Sequence, residues 1–187
     1  MIMRTWWNKN TVLTLMLALV ALAIVVRITP PYVPKVVELT LVKNKEAIRR
    51  IDQEREVDFQ RTLWLDRLDL SRKNQLRHTK LGQIGYADNF FVDIDHTFEV
   101  LVPGEYRFLI GSDDGFIAKL DGREICRFNR DRGYRKQSCR ARLDEGEHRF
   151  ELTYFQGGGH AGLTVEYRLK GGTQTYFFGE DSELMRF

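Results

Sequence analysis

From residue 84 onward the chain consists of short alternating runs separated by glycine turns, a pattern that few folds accommodate. FFVDIDHTFEVLV (residues 90–102) runs into Pro103-Gly104, and EYRFLI then sets Tyr106, Phe108 and Ile110 against Glu105, Arg107 and Leu109. FIAKL meets Asp121-Gly122 and REICRF follows. After Asp144-Glu145-Gly146, EHRFELTYF alternates His148, Phe150, Leu152 and Tyr154 with its other face. Gly157-Gly158-Gly159 then leads to LTVEYRL, with Leu163, Val165, Tyr167 and Leu169 on one side. Side chains on a strand point to opposite faces in turn, so each run offers one apolar face. Runs of this length joined by Asp-Gly and Gly-rich turns predict an all-β, antiparallel sandwich or barrel.

The N-terminus obeys different rules. TVLTLMLALVALAIVV, residues 11–26, carries no charge, Gly or Pro. With Ile28 beyond Arg27, whose charge can snorkel, it reaches the length that crosses a bilayer. Trp6 and Trp7 occupy the place of an interfacial aromatic belt, with Arg4 and Lys9 beside them. Ala21-Leu22-Ala23 resembles a signal-peptidase site, so a cleaved signal peptide is the rival reading. The apolar run continues through Ile24, Val25 and Val26, which favours a retained anchor. A soluble-core helix fits poorly, because the segment is apolar all round. The expected layout is a cytoplasmic N-terminus and anchor over residues 1–28, a Pro-rich spacer over 29–35, and an extracytoplasmic β domain over 36–187. That makes a single-pass protein of the plasma or inner membrane, its bulk in the periplasm if the cell is Gram-negative. Arg4, Lys9 and Arg27 account for the whole net charge of +3, and the remainder holds 26 basic and 26 acidic residues. That balance, with no nucleic-acid motif, argues against a nucleic-acid partner.

TPPYVPK, residues 29–35, holds three of the four prolines and favours an extended spacer. EAIRRIDQEREVDF has two readings. It forms an amphipathic helix with Ile48, Ile51 and Val57 roughly on one side, or it contributes the strand EVDF after the strand VELTLV. Residues 65–82 are polar and look like a connecting excursion. Catalysis finds little support. His78, His96, His148 and His160 are scattered singly, and Gly111-Ser112-Asp113 lacks the second glycine of a nucleophile elbow. His148 reads as a packed residue, and Asp93 and Asp95 share a strand face without a nucleophile. The chain is not expected to be an enzyme.

PGEYRFLIGSDDGFIAKLDGREI, followed by LDEGEHRFELTYFQGGGHAGLTVEYRL, resembles the PA14 family. The shared order is a strand, a Ser-Asp-Asp-Gly turn, a strand, a second Asp-Gly turn, and later a strand ending in Tyr-Phe before glycines and a final strand. RRIDQEREVDF looks like the family's early arginine, aspartate and "DF" strand. The resemblance covers residues 84–170 closely and 36–83 loosely. It implies a β-sandwich or barrel, often a carbohydrate-binding module, sometimes with a calcium ion held by two aspartates joined through a cis peptide. Asp113 and Asp114 match that pair, and Gln156 with the carbonyls of Gly158, Gly159 and His160 are the candidates for the remaining ligands. The yeast-adhesin pattern uses an asparagine there, and no asparagine follows Asn129. The alternative is turn chemistry, in which Ser112 and Asp113 cap nearby amides without an ion.

Two further features stand apart from the resemblance. Cys126 and Cys139, the only cysteines, fall in the expected extracytoplasmic part, where disulfides persist. A bridge between adjacent strands of a hairpin arm is one reading, and two buried thiols the other. The arm carries Arg127, Arg130, Arg132, Arg135, Lys136, Arg140 and Arg142 against Asp131 alone, with Tyr134 among them. It reads as a docking surface for an anionic polymer, lipid headgroups or an acidic protein, or as a solvated hairpin that protects a sheet edge. The expected function is a membrane-held module binding a glycan or envelope polymer, with calcium as its candidate cofactor. A non-catalytic accessory subunit, meeting other membrane proteins through the anchor and the arm, is the alternative.

Overall fold

Alternation along the chain becomes strand pairing in the computed structural model, which describes residues 8–187. The elements are α1 Lys9–Ile28, β1 Val37–Asn44, β2 Val57–Leu65, β3 Ser71–Arg72, β4 Gln75–His78, β5 Gly82–Gln83, β6 Phe90–Val100 and β7 Gly104–Asp113. They continue with β8 Phe116–Leu120, β9 Arg123–Phe128, β10 Arg135–Leu143, β11 Gly146–Gln156, β12 Gly162–Leu169, β13 Tyr176–Phe177 and β14 Met185–Arg186. The chain divides into two units at Tyr32/Val33.

Helix α1 has 20 residues, none of them buried, and spans about 30 Å at 1.5 Å per residue. It is long and apolar enough to cross a membrane, a property that signal sequences share. The Thr29 amide donates to the Val25 carbonyl at 2.9 Å, which closes its C-terminal end. Arg4, Trp6 and Trp7 lie outside the described residues.

The second unit is a sandwich of two antiparallel sheets. One runs β2-β1-β6-β11-β8-β9, with β14 added on β6, and the other runs β10-β7-β12-β13. Their inner faces meet through Phe90, Tyr106, Phe108, Phe116, Phe150 and Tyr154, all fully buried. Phe108 stacks on Phe150 with ring centroids 5.8 Å apart. The last residues complete this core: Phe178 and Met185 are fully buried, and Phe187 stacks on Phe98 at 5.7 Å. Residues 65–82 do more than connect. They form a small sheet, β3-β4-β5, and bury Leu65, Leu68, Leu70 and Leu76.

The helical reading of EAIRRIDQEREVDF, residues 46–59, fails. EVDF enters β2 at Val57, and the stretch before it is a loop. Ile48 and Ile51 are buried, though by a different route from a helix face. They pack with Val42, Phe91 and Phe155 in a small second cluster, while Val57 stays 46% exposed. The loop is tied down by the Ile48 amide donating to Asn89 Oδ1 at 3.1 Å and the Ile51 amide donating to the Asn129 carbonyl at 3.1 Å. Main-chain groups buried in this way need such partners.

Candidate functional site

Strand β7 ends at Asp113, and the turn to β8 carries Asp114 and Gly115. The Asp113–Asp114 peptide is cis. Ser112 closes this turn onto a carbonyl rather than an amide, its Oγ donating to the Asp114 carbonyl at 2.7 Å. The carboxylates themselves look elsewhere. Asp113 Oδ2 accepts from the Tyr134 amide at 3.0 Å, and Asp114 Oδ1 accepts from the Arg132 amide at 3.2 Å. Asp114 Oδ2 accepts from the Gly157 amide at 2.9 Å. Glycine is required at 157, because a Cβ there would stand 2.6 Å from the Ile48 carbonyl oxygen. Gly115 is equally confined, with the Phe128 carbonyl oxygen and Phe155 each 2.5 Å from a Cβ.

The pair is nearly shut off from solvent, with 7% and 5% exposure, and borders a pocket of about 450 Å³. Asp131, Arg132, Gly133, Gly158, Gly159 and His160 complete its lining. Burial disfavours the ionised forms. It raises the Asp113 carboxyl against the pull of the Tyr134 amide, His160 and Arg132. It raises Asp114 to about 6, helped by the charges of Asp131 and Asp113 and opposed by the Gly157 and Arg132 amides. A hard cation would relieve both groups, and the donors suit one: two carboxylates beside a loop of main-chain carbonyls. Among the described residues no three His, Cys, Asp or Glu side chains cluster closely enough to hold a metal alone. Carbonyls and water would have to supply the rest of a calcium shell of six to eight oxygens.

Gln156 is fully buried and organises this loop. Its Nε2 donates to the Gly158 carbonyl at 2.8 Å and the His160 carbonyl at 2.7 Å. Its Oε1 lies 2.6 Å from the Tyr154 hydroxyl, which also touches the Asp113 carbonyl. That hydroxyl has one proton for the two acceptors. As a ligand, Gln156 Oε1 would share its lone pairs with Tyr154.

The basic arm is not a separate surface. Its tip closes on the aspartates through the amides of Arg132 and Tyr134. The Arg132 guanidinium donates to Ser112 Oγ at 2.7 Å and lies 4.3 Å over the Phe128 ring. Tyr134 covers Gly111 and Gly162, its hydroxyl 2.6 Å from Thr164 Oγ1. Arg127 pairs with Glu124 at 2.5 Å and Lys136 with Glu166 at 2.6 Å. Of the seven cations on the arm, Arg127, Arg132 and Lys136 are engaged within the fold. Arg130 and Arg135 stay exposed near the tip, and Arg140 and Arg142 are exposed farther along β10.

Cys126 and Cys139 form the disulfide, with Cα atoms 5.5 Å apart. They do not sit on paired strands as expected. β9 is an edge of the larger sheet and β10 an edge of the smaller one, so the bridge joins the two layers. His148 is also more than a packed residue: its Nδ1 lies 2.7 Å from Asp121 Oδ2, and its Nε2 lies 3.0 Å from the Asp144 carbonyl. Asp93 is taken by a two-pronged contact from Arg55 at 2.5 and 2.8 Å, and Asp95 by one from Arg149. Sequence reasoning gave no role to Tyr134 and did not foresee the close approach of Gly157 to Ile48. The glycine at 157 was visible, but its neighbour Ile48 lies over a hundred residues away in sequence.

No protein-family model and no curated protein matches the sequence. Solved structures match the fold. The PA14 domain of the MpAFP antifreeze protein superposes with a TM-score of 0.62 at 12% identity, covering 84% of this chain and 94% of that one. A PA14 sugar-binding domain from an RTX adhesin gives 0.60 at 19% identity, with 76% and 93% covered. The A domain of Epithelial Adhesin 9 from Candida glabrata, in complex with Galβ1-3GlcNAc, gives 0.56 at 12% identity, with 81% and 89% covered. Identities this low carry the fold and no more, and the chain has a PA14-like β-sandwich domain.

Proposed function

We propose that this chain is a non-catalytic carbohydrate-binding module held at a membrane by α1, with its β domain on the extracytoplasmic side. The sugar site is the pocket over Asp113 and Asp114, completed by the Gly158, Gly159 and His160 loop that Gln156 holds in place. The observation that carries the reading is the buried carboxylate pair bordering an accessible pocket that Gly158, Gly159 and His160 also line. Calcium held there supplies positive charge and open coordination positions for sugar hydroxyls. The named sugar-binding relatives of the same fold support the class of ligand. The short spacer after α1 limits the module to polymers close to the membrane, such as envelope glycans.

The test is thermal unfolding of the detergent-solubilised chain with calcium and with chelator, beside an Asp113→Asn, Asp114→Asn double variant. Binding to the folded state alone adds about 2.7 kcal/mol at a hundredfold excess over Kd. The wild type gains that stability and the double variant gains none. A wild type indifferent to calcium reduces the pair to turn chemistry.

A second reading, an accessory subunit, draws on one observation. Strand β2 is a free sheet edge on which Val57, Phe59 and Trp64 are 46%, 48% and 40% exposed. Unpaired edges of this kind accept partner strands. Co-purification of a membrane partner that Trp64→Ala or Phe59→Ala releases would favour it.

A further inference from the structure

The smaller sheet turns one face to the core and the other outward, and the outer face carries a row of like charges. Register places Arg140 of β10 opposite Arg107 of β7, and Arg107 opposite Arg168 of β12. Their neighbours Cys139, Phe108 and Tyr167 are buried, so alternation turns all three arginines outward. Strands lie about 4.8 Å apart, which gathers the three stems within about 10 Å. Arg142, opposite Glu105, is one diagonal step from Arg107.

Like charges directly opposite one another destabilise a sheet. Among the described residues no acid side chain bonds to these arginines. Glu105 bonds to Lys170 at 2.7 Å and Glu166 to Lys136 at 2.6 Å, so the acids of this face are taken by lysines. Glu105 still feels the charges of Arg140 and Arg107, without bonding to either. Arg107 Nε is shielded from solvent and has no hydrogen-bond partner. Three guanidinium groups thus stand in register with a fourth on the diagonal, and among the described residues no carboxylate is bonded to any of them.

We propose that this face is a second binding site, for an acidic polysaccharide, with Arg107 at its centre, Arg140 and Arg168 beside it and Arg142 on the diagonal. The guanidinium fork meets carboxylate or sulfate oxygens two at a time and keeps its charge at every physiological pH. Forks repeated at strand spacing suit acid groups repeated along a chain, whereas a lone small anion would engage only one or two. An anionic bilayer attracts basic residues irrespective of their register. The order of this row on interior, regular strands therefore favours the polymer. The site differs from the carboxylate pocket in charge and in position, at the far end of β7 about 20 Å away by strand rise, and it needs no metal.

The experiment uses the full chain in non-ionic detergent with chelator, applied at low salt to immobilised polygalacturonate and to neutral dextran. The wild type is retained on polygalacturonate, passes through dextran and elutes with salt. An Arg107→Gln, Arg140→Gln, Arg168→Gln variant passes through both. A Lys45→Gln, Arg49→Gln, Lys119→Gln variant, which loses the same charge elsewhere, is retained. The thermal midpoint of each variant confirms that it is folded. Flow-through of the wild type, retention of the arginine variant, or equal loss in both variants overturns the proposal. Elution by phosphatidylglycerol micelles but not by soluble polygalacturonate also overturns it and assigns the face to lipid. The Asp113→Asn, Asp114→Asn variant is retained in chelator, so the two sites fail or stand separately.

Discussion

The two ends of β7 handle charge in opposite ways. At Asp113 the carboxylates are buried, and amides from two distant loops come to meet them. At Arg107 the cations stand on regular strand positions, and no group is brought to them. The first arrangement depends on loop closure: residues 132, 134 and 157 must arrive for the pair to be tolerated. The second depends only on register, which nine cross-strand pairs between β10 and β7 fix. Each leaves unrelieved charge of one sign, and each calls for a ligand of the other. They differ in what should break them.

The largest effect is expected from the disulfide, which ties β10 to β9, the strand from which the arm departs. Cys126→Ser with Cys139→Ser frees a 13-residue separation and should cost about 3 kcal/mol in urea unfolding, by the loop-entropy estimate. The calcium response should weaken with the arm, while retention on polygalacturonate persists. The reverse pattern would break the comparison. Next, Tyr134→Phe removes the bond to Thr164 at the arm tip and should cost about 1 kcal/mol. It should blunt calcium stabilisation without touching polymer retention, as titration of both responses would show.

Arg107→Gln should act in the opposite sense. Relieving two like-charge pairs should stabilise the unliganded domain by a few tenths to about 1 kcal/mol, while polymer retention falls. A gain in midpoint with a loss of binding is the signature of a row kept for a ligand. The smallest effect is expected at His148, which lines a pocket with Arg140 and Arg142 and is absent from the lining of the carboxylate pocket. Burial pushes the His148 imidazolium down, but Asp121, the Asp144 carbonyl and the charges of both acids outweigh it and leave the value above 6.5. A folded value raised above the unfolded one stabilises most at low pH, and the gain is lost as pH rises through the folded value. The midpoint difference between wild type and His148→Gln should therefore shrink as pH climbs beyond 6.5, with the calcium response unchanged.

Period-two alternation made the sandwich legible, because a strand facing a core must place Tyr106, Phe108 and Ile110 on one side. Helical periodicity misled at Ile48 and Ile51. Two apolar residues three apart fit a helix, and nothing local says that a loop will press them onto Phe91 and Phe155. The Asp pair stood out, but its bonds to residues 132 and 134 did not, since amide donors carry no sequence signature. The arginine row was hidden for a related reason. It needs the register of three strands, although Glu-Tyr-Arg occurs in both β7 and β12 and Arg-Ala-Arg in β10. The cysteines were read correctly as partners, and the sheets they join became visible only with the strand order.

The small cluster behind the carboxylate end sets the order in which the protein should come apart. Five buried residues hold the 45–56 loop against the outer face of the larger sheet, and its Ile48 carbonyl leans on Gly157. Segments resting on so little apolar contact open at lower free energy than the sandwich they lean on. Amide hydrogens of Ile48 and Ile51 should therefore exchange with deuterium well before those in the centre of β6. Each such opening withdraws support from Gly157 and Asp114 while β10, β7 and β12 stay paired. On the proposed reading, ligand release at the carboxylate end would follow local breathing, while the arginine face would hold its polymer until global unfolding.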